Sequence, residues 1–176
     1  MKVLSEFRLY ICNYVISNIS CHMVLLWYYK KIMNFIIGLG SKIFLKTIVD
    51  CSQGVVIGKN SIVNARCRLV NRGTITIGDN VSISSDVIIL TADYDMNSPS
   101  FLGRTKQVVI EDYMWVGTRA IILPGITIGK GAIVAVGSLL AKNVKPYQVL
   151  AGVPAKFIKE RNHNLRYKFS YKRLFQ

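Results

Sequence analysis

An aliphatic residue returns every six positions from Ile110 through Val116, Ile122, Ile128 and Val134 to Leu140. The same spacing appears earlier as Ile57–Val63–Leu69 and as Ile77–Ile83–Ile89, and the residue four beyond a rung is usually small or aliphatic, as at Ser61, Val81, Ala120 and Ala132. Six is neither the 3.6-residue period of an amphipathic helix nor the two-residue alternation of a half-buried strand. It is the period of an all-β solenoid in which each flat face takes one hexad and the chain then turns a corner. Three hexads per coil build a triangular prism with the rungs stacked inside. One coil cannot bury its own apolar face, so the coils must stack. Gly58, Gly78, Gly117 and Gly129 each follow a rung, where a corner needs positive φ or lacks room for a Cβ. An ordinary β-sandwich would account for the apolar residues and the glycines, but not for the repeat.

The ladder breaks after Ile89 and resumes at Ile110. Ile89 and Ile110 stand 21 residues apart, three more than a whole coil, and residues 90–107 carry Asp, Asn, Ser and Pro together with Tyr94, Met96 and Phe101. A solenoid that extrudes a polar loop at one level usually does so for function, so this loop is the first candidate for a reaction centre.

The ends differ in texture from the middle. Residues 1–50 read as a helical packing segment, with Leu4, Phe7, Ile11, Tyr14 and Val15 on one helical face and an aromatic run over Met23–Tyr29. No stretch of 18 residues is free of polar interruption, which argues against a membrane span, and Glu6 and Arg8 fit a signal peptide poorly. Packing on the prism is the reading adopted, with peripheral membrane contact as the alternative. Residues 51–145 hold the repeat, and residues 146–176 form a basic tail or short helix.

The net charge is +14, and the last 31 residues carry seven basic side chains against one acidic. No nucleic-acid-binding fold precedes them, and Tyr167, Phe169, Tyr171 and Phe175 look as much like packing as base stacking, so no nucleic-acid partner is expected. Cys12, Cys21, Cys51 and Cys67 make no CxxC pair and read as reduced thiols of a cytoplasmic protein. His22 and His163 lack neighbouring ligand candidates, so no metal site is expected.

Three segments carry a resemblance: Ile110–Ala132, with its Trp115-Val-Gly and Leu123-Pro-Gly steps; Val136-Gly-Ser; and Ala151-Gly-Val-Pro-Ala-Lys156. Together they resemble the hexapeptide-repeat acyltransferases, most of all the maltose, galactoside and colanic-acid O-acetyltransferases, over roughly residues 51–160. The resemblance implies a left-handed parallel β-helix, a homotrimer, acetyl-CoA as donor and a sugar hydroxyl as acceptor. Left-handed winding departs from the usual crossover rule and rests on the resemblance alone.

In that family the acceptor and the pantetheine arm meet in a groove between neighbouring prisms, and a histidine on the extruded loop takes the acceptor's proton. Counted without gaps, Tyr94 occupies that position here, between Asp93 and Asp95. Asn64 matches the asparagine that helps hold the acceptor, and Trp115 the tryptophan lining the pantetheine channel. On the donor side the resemblance assigns contacts to Thr118, Val136, Ala141, Lys142, Lys156 and Lys159, with Ala141 standing where relatives usually have threonine. Tyrosine is a poor general base, because a phenol is almost fully protonated near neutrality and flanking carboxylates disfavour the phenolate. Three readings stay open: Asp93 or Asp95 replaces the imidazole, the chain is a weak or inactive CoA-binding relative, or Tyr94 itself acts.

Overall fold

A computed structural model describes residues 2–169. The hexads become short strands on three flat faces of a left-handed parallel β-helix. The first face stacks Ile36–Ile37, Val55–Ile57, Ile75–Ile77, Val108–Ile110 and Thr127–Ile128. The second stacks Lys42–Ile43, Ile62–Val63, Ser82–Ile83, Trp115–Val116 and Ile133–Val134, and the third Ile48–Val49, Arg68–Val70, Ile88–Leu90, Ile121–Ile122 and Leu139–Leu140. Parallel pairing aligns rung on rung: Ile57 lies over Ile77, Ile77 over Ile110, and Val63 over Ile83. Rung residues such as Ile83, Ile89, Ile110, Val116 and Ile122 are fully buried and form one continuous core.

The corners divide the labour between two positions. Gly58, Gly78, Gly117 and Gly129, each directly after a rung, lack room for a Cβ rather than needing positive φ. A Cβ on Gly117 would lie 2.6 Å from the Val136 nitrogen, because successive corners stack backbone on backbone. Left-handed φ falls two residues later, on Asn60, Asn80 and Tyr113 at one corner and Lys46, Arg66, Asp86 and Arg119 at the next. Buried serines close the gaps between coils: Ser61 Oγ donates to the Gly78 carbonyl at 2.7 Å and accepts the Val81 N–H at 2.9 Å.

The prism begins earlier than the segment boundary at residue 50 implies. Ile37, Ile43 and Val49 already form a coil in register with Ile57, Val63 and Leu69. Helix α1 (Lys2–Tyr14) and helix α2 (His22–Lys31) precede it. The Asn13 side chain clamps α1 to the third face, donating to the Val49 carbonyl at 2.8 Å and accepting the Val49 N–H at 3.0 Å. That clamp turns Cys12 inward, with Leu9 and Ile11 packed beside it, and rotates Leu4, Phe7, Tyr14 and Val15 into solvent. The inward face is therefore not the one expected from Leu4, Phe7, Tyr14 and Val15. Among the described residues no helix is long and apolar enough to cross a membrane.

The C-terminal segment is not helical where it is described. Strand Gln148–Gly152 adds to the second face beside Ile133–Val134, and Ala155–Glu160 folds back on it antiparallel. The open edge of the second face supplies unpaired backbone groups that a strand can satisfy and a helix cannot. Tyr171 and Phe175 lie outside the described residues.

Candidate active site

The coils are uneven at one corner only, the one leading from the third face to the first. Val49 to Ile57 and Leu69 to Ile77 each take eight residues instead of six, and the next passage, Ile89 to Ile110, takes 21. The loop expected at 90–107 thus crowns a corner already enlarged in the two coils beneath it. Buried side chains pin that corner. Asn71 Oδ1 accepts the N–H groups of Asp50 and Cys51 at 2.9 and 3.0 Å, and its Nδ2 donates to the carbonyls of Cys51 and Gln53. One coil up, Thr91 Oγ1 accepts the Gly73 N–H at 2.8 Å.

The loop is a two-stranded antiparallel hairpin, Ala92–Tyr94 against Gly103–Thr105. Asp95 starts its turn by accepting the Asn97 N–H on Oδ1 at 3.1 Å, an Asx turn, and its own N–H donates to the Leu102 carbonyl. Asp93 faces Arg104 directly across the strands, and the guanidinium grips both carboxylate oxygens at 2.9 Å. That grip holds the Asp93 carboxyl below the usual carboxylate range, so Asp93 is a poor proton acceptor. Asp95 lies at the edge of the same ion cluster, with Oδ1 3.6 Å from Arg104 Nη1 and Oδ2 free of hydrogen bonds among the described residues. Tyr94 is 54% exposed and stacks on Phe101, ring centroids 4.8 Å apart and planes 9° from parallel. A cavity of about 460 Å³ opens beside it, lined by Val70, Arg72, Ala92, Asp93, Tyr94 and Arg104 among others.

A second group of candidate residues lies on a different face. Trp115 projects from the second face, with its indole N–H donating to Ser84 Oγ at 3.0 Å, and Asn64 donates from Nδ2 to the Ile83 carbonyl at 2.8 Å. A largely apolar cleft of about 440 Å³ runs along this face between Ser82, Trp115 and Ile133 and the tail residues Arg161, Tyr167, Lys168 and Phe169. Arg161 anchors the tail, donating to the carbonyls of Tyr113 and Gly131 at 3.0 and 3.2 Å.

Within one chain, then, Tyr94 with Asp93 and Asp95 occupies the corner between the third and first faces, while Asn64 and Trp115 occupy the second face and its following corner. No described cavity is lined by both groups. The donor-side candidates also divide. Val136 is exposed beside Gly117, and Thr118 uses its carbonyl to accept the Gly137 N–H at 2.9 Å. Lys156 and Lys159 stand exposed on the edge strand opposite Ala151 and Val149, whereas Ala141 and Lys142 leave the end of the third face. Sequence reasoning missed Arg104, Arg72, Arg161 and the tail wall of the cleft. Only Arg104 left a usable signal, a basic residue placed symmetrically to Asp93 about a Pro-containing turn. Among the described residues no group of three His, Cys, Asp or Glu could hold a metal ion.

No family model matches the chain. A galactoside O-acetyltransferase of Escherichia coli is 32% identical over 115 residues, 62% of this chain and 56% of that protein. Among solved structures, a hexapeptide-repeat acetyltransferase of Vibrio cholerae complexed with acetyl coenzyme A superimposes with a TM-score of 0.83 at 22% identity, over 90% of this chain and 87% of that one. A maltose O-acetyltransferase of Clostridium difficile gives 0.81 at 25% identity, over 90% and 84%. In sequence and fold the chain is similar to hexapeptide-repeat, left-handed β-helix acetyltransferases, maltose and galactoside O-acetyltransferases among them. It spans a little over half the length of the curated relatives first matched, 55% and 56%.

Proposed function

We propose that the chain is a CoA-dependent O-acyltransferase that moves an acetyl group from acetyl-CoA to a hydroxyl of a sugar or polysaccharide precursor, working in the cytoplasm as a homotrimer. The observation that carries this reading is the separation of the two half-sites. A reactive loop at one corner and an indole-walled cleft on another face are each incomplete alone. Three-fold packing of prisms brings such surfaces of neighbouring protomers together. The cleft suits a pantetheine arm in chemistry, being apolar and walled by Trp115. Exposed Lys156, Lys159 and Lys142 supply cations for phosphates, with the main chain at Val136 and Thr118 and the small Ala141 as further donor contacts.

The donor supplies a thioester carbonyl already activated for attack. The acceptor oxygen bonds to that carbon, its proton passes to a carboxylate, and the C–S bond breaks to release CoA thiolate, which takes up a proton to leave as the thiol. Asp95 is the base in this reading, because Arg104 holds both oxygens of Asp93 while Oδ2 of Asp95 stays free. Tyr94 donates a hydrogen bond to the acceptor or to the developing oxyanion, and Asn64 of the adjoining protomer helps hold the acceptor.

The test is acetyl-CoA thioester release across a panel of hexoses, nucleotide sugars and glycolipid precursors, with mass measured by light scattering. Acceptor-dependent release from a trimer is expected. A monomer at micromolar concentration would overturn the shared-site reading. CoA binding without turnover on any acceptor would mean a lapsed, non-catalytic relative.

A further inference from the structure

Resting on that acyltransferase reading, we infer that the acceptor is an anionic saccharide whose carboxylate or phosphate is held by Arg72 in the cavity beside Tyr94. Three ionised side chains line this cavity, Arg72, Asp93 and Arg104. Asp93 and Arg104 are committed to each other through two hydrogen bonds of 2.9 Å. Among the described residues Arg72 has no such partner. Its one carboxylate contact is Asp50 Oδ2 at 3.7 Å, beyond hydrogen-bonding distance, and Arg68 approaches the other oxygen of the same carboxylate at 3.4 Å. One aspartate shared by two arginines leaves a guanidinium charge over, and the cavity wall is where it is presented. The guanidinium fork matches the planar, two-oxygen geometry of carboxylate and phosphate, which a neutral hydroxyl cannot use fully.

The backbone under Arg72 is set in advance. Asn71 is 1% exposed with both ends of its amide bonded, and Thr91 holds the Gly73 N–H on the other side. Arg72 therefore stands on a pinned corner rather than a free loop, and ordering it on a ligand costs little backbone entropy. The Tyr94 ring, stacked on Phe101, gives the same cavity an aromatic wall for a sugar ring.

The test compares D-galactose, D-galacturonate and D-galactose 1-phosphate as acceptors for the wild type, Arg72→Ala and Arg72→Lys. The anionic sugars should be preferred over galactose by about 10- to 100-fold in kcat/KM, mainly through KM, as expected of a charge-assisted hydrogen-bond pair. Arg72→Ala should collapse that preference, and Arg72→Lys should restore part of it. Which anionic sugar wins decides between carboxylate and phosphate. Saturation-transfer NMR reads binding of the three sugars independently of turnover. Loss of galacturonate or galactose 1-phosphate binding in Arg72→Ala supports the site even if no acceptor reacts, and in that case it is the acyltransferase reading that fails. Equal handling of neutral and anionic sugars by the wild type, or a preference indifferent to Arg72→Ala, would overturn the assignment.

Discussion

Replacing Tyr94 by histidine is the sharpest probe of the loop. The ring is 54% exposed and touches Phe101, so an imidazole keeps a stacking partner. The structural cost should be below the ~0.5–1.5 kcal/mol of a whole aromatic pair. The gain follows from basicity. A free imidazole is more basic than a free carboxylate by about 2.6 pK units, and general-base efficiency follows Brønsted behaviour. Taking about half of that difference as rate gives roughly a 20-fold gain for an imidazole that takes over from Asp95, or about 1.8 kcal/mol off the barrier. Against a chain with no working base the gain rises toward the ~10²–10⁴-fold range of general-base catalysis. The assay is initial thioester release at saturating acetyl-CoA, from pH 5.5 to 8.5. Tyr94→His should add an acid limb centred near about 6.5, the ordinary imidazole value. A folded, CoA-binding Tyr94→His protein that is no faster than wild type, with no new limb, would show that the proton is not transferred at this loop.

Four further outcomes are expected. Asp95→Asn should lower kcat by about 10²-fold or more, whereas Asp93→Asn should free Arg104, loosen the hairpin and act mainly on KM, with amide exchange over 92–105 reporting the loosening. Lys142→Ala, Lys156→Ala and Lys159→Ala should each weaken CoA binding in calorimetry by ~0.3–1 kcal/mol at low salt and by less at 0.5 M NaCl, since exposed cations are screened within about 8 Å at physiological ionic strength. Burial, reinforced by Lys42, lowers the His22 pKa to about 4. The unfolded chain takes up a proton near 6.5 that the folded chain refuses until about 4, so stability should fall as pH drops through this window, and His22→Gln should flatten that part of a denaturation-midpoint profile. Gly117→Ala should destabilise by about 1–3 kcal/mol in thermal melts, because its Cβ would press on the Val136 nitrogen.

The six-residue ladder was legible because every rung contributes the same thing, a buried aliphatic side chain, so the signal repeats. Ile37–Ile43–Val49 carries the same spacing, yet it sits beside the aromatic run of α2, and texture outweighed period there. The corner residues with positive φ were hidden for another reason. Asn60, Arg66, Asp86 and Arg119 read as ordinary surface polarity, and only their common offset of three from a rung marks them. The two-residue corner expansions break the count without leaving a residue type that announces them. Asn71, the side chain that holds one of them together, is buried although asparagine is usually exposed.

At the site the limit is different in kind. The family resemblance points to Tyr94, Asn64 and Trp115, but it cannot say which carboxylate is engaged. That depends on the Asp93–Arg104 register, which follows from where the hairpin turns. Cross-strand pairing engages both oxygens of Asp93 and leaves one oxygen of Asp95 open, so on the proposed reading the two carboxylates do different work. The same pairing removes Arg104 from ligand binding and leaves Arg72 as the available cation in the cavity. A turn displaced by one residue would move Arg104 out of register with Asp93 and undo both consequences. On the proposed reading, the chemistry of this loop depends on its hairpin register as much as on Tyr94.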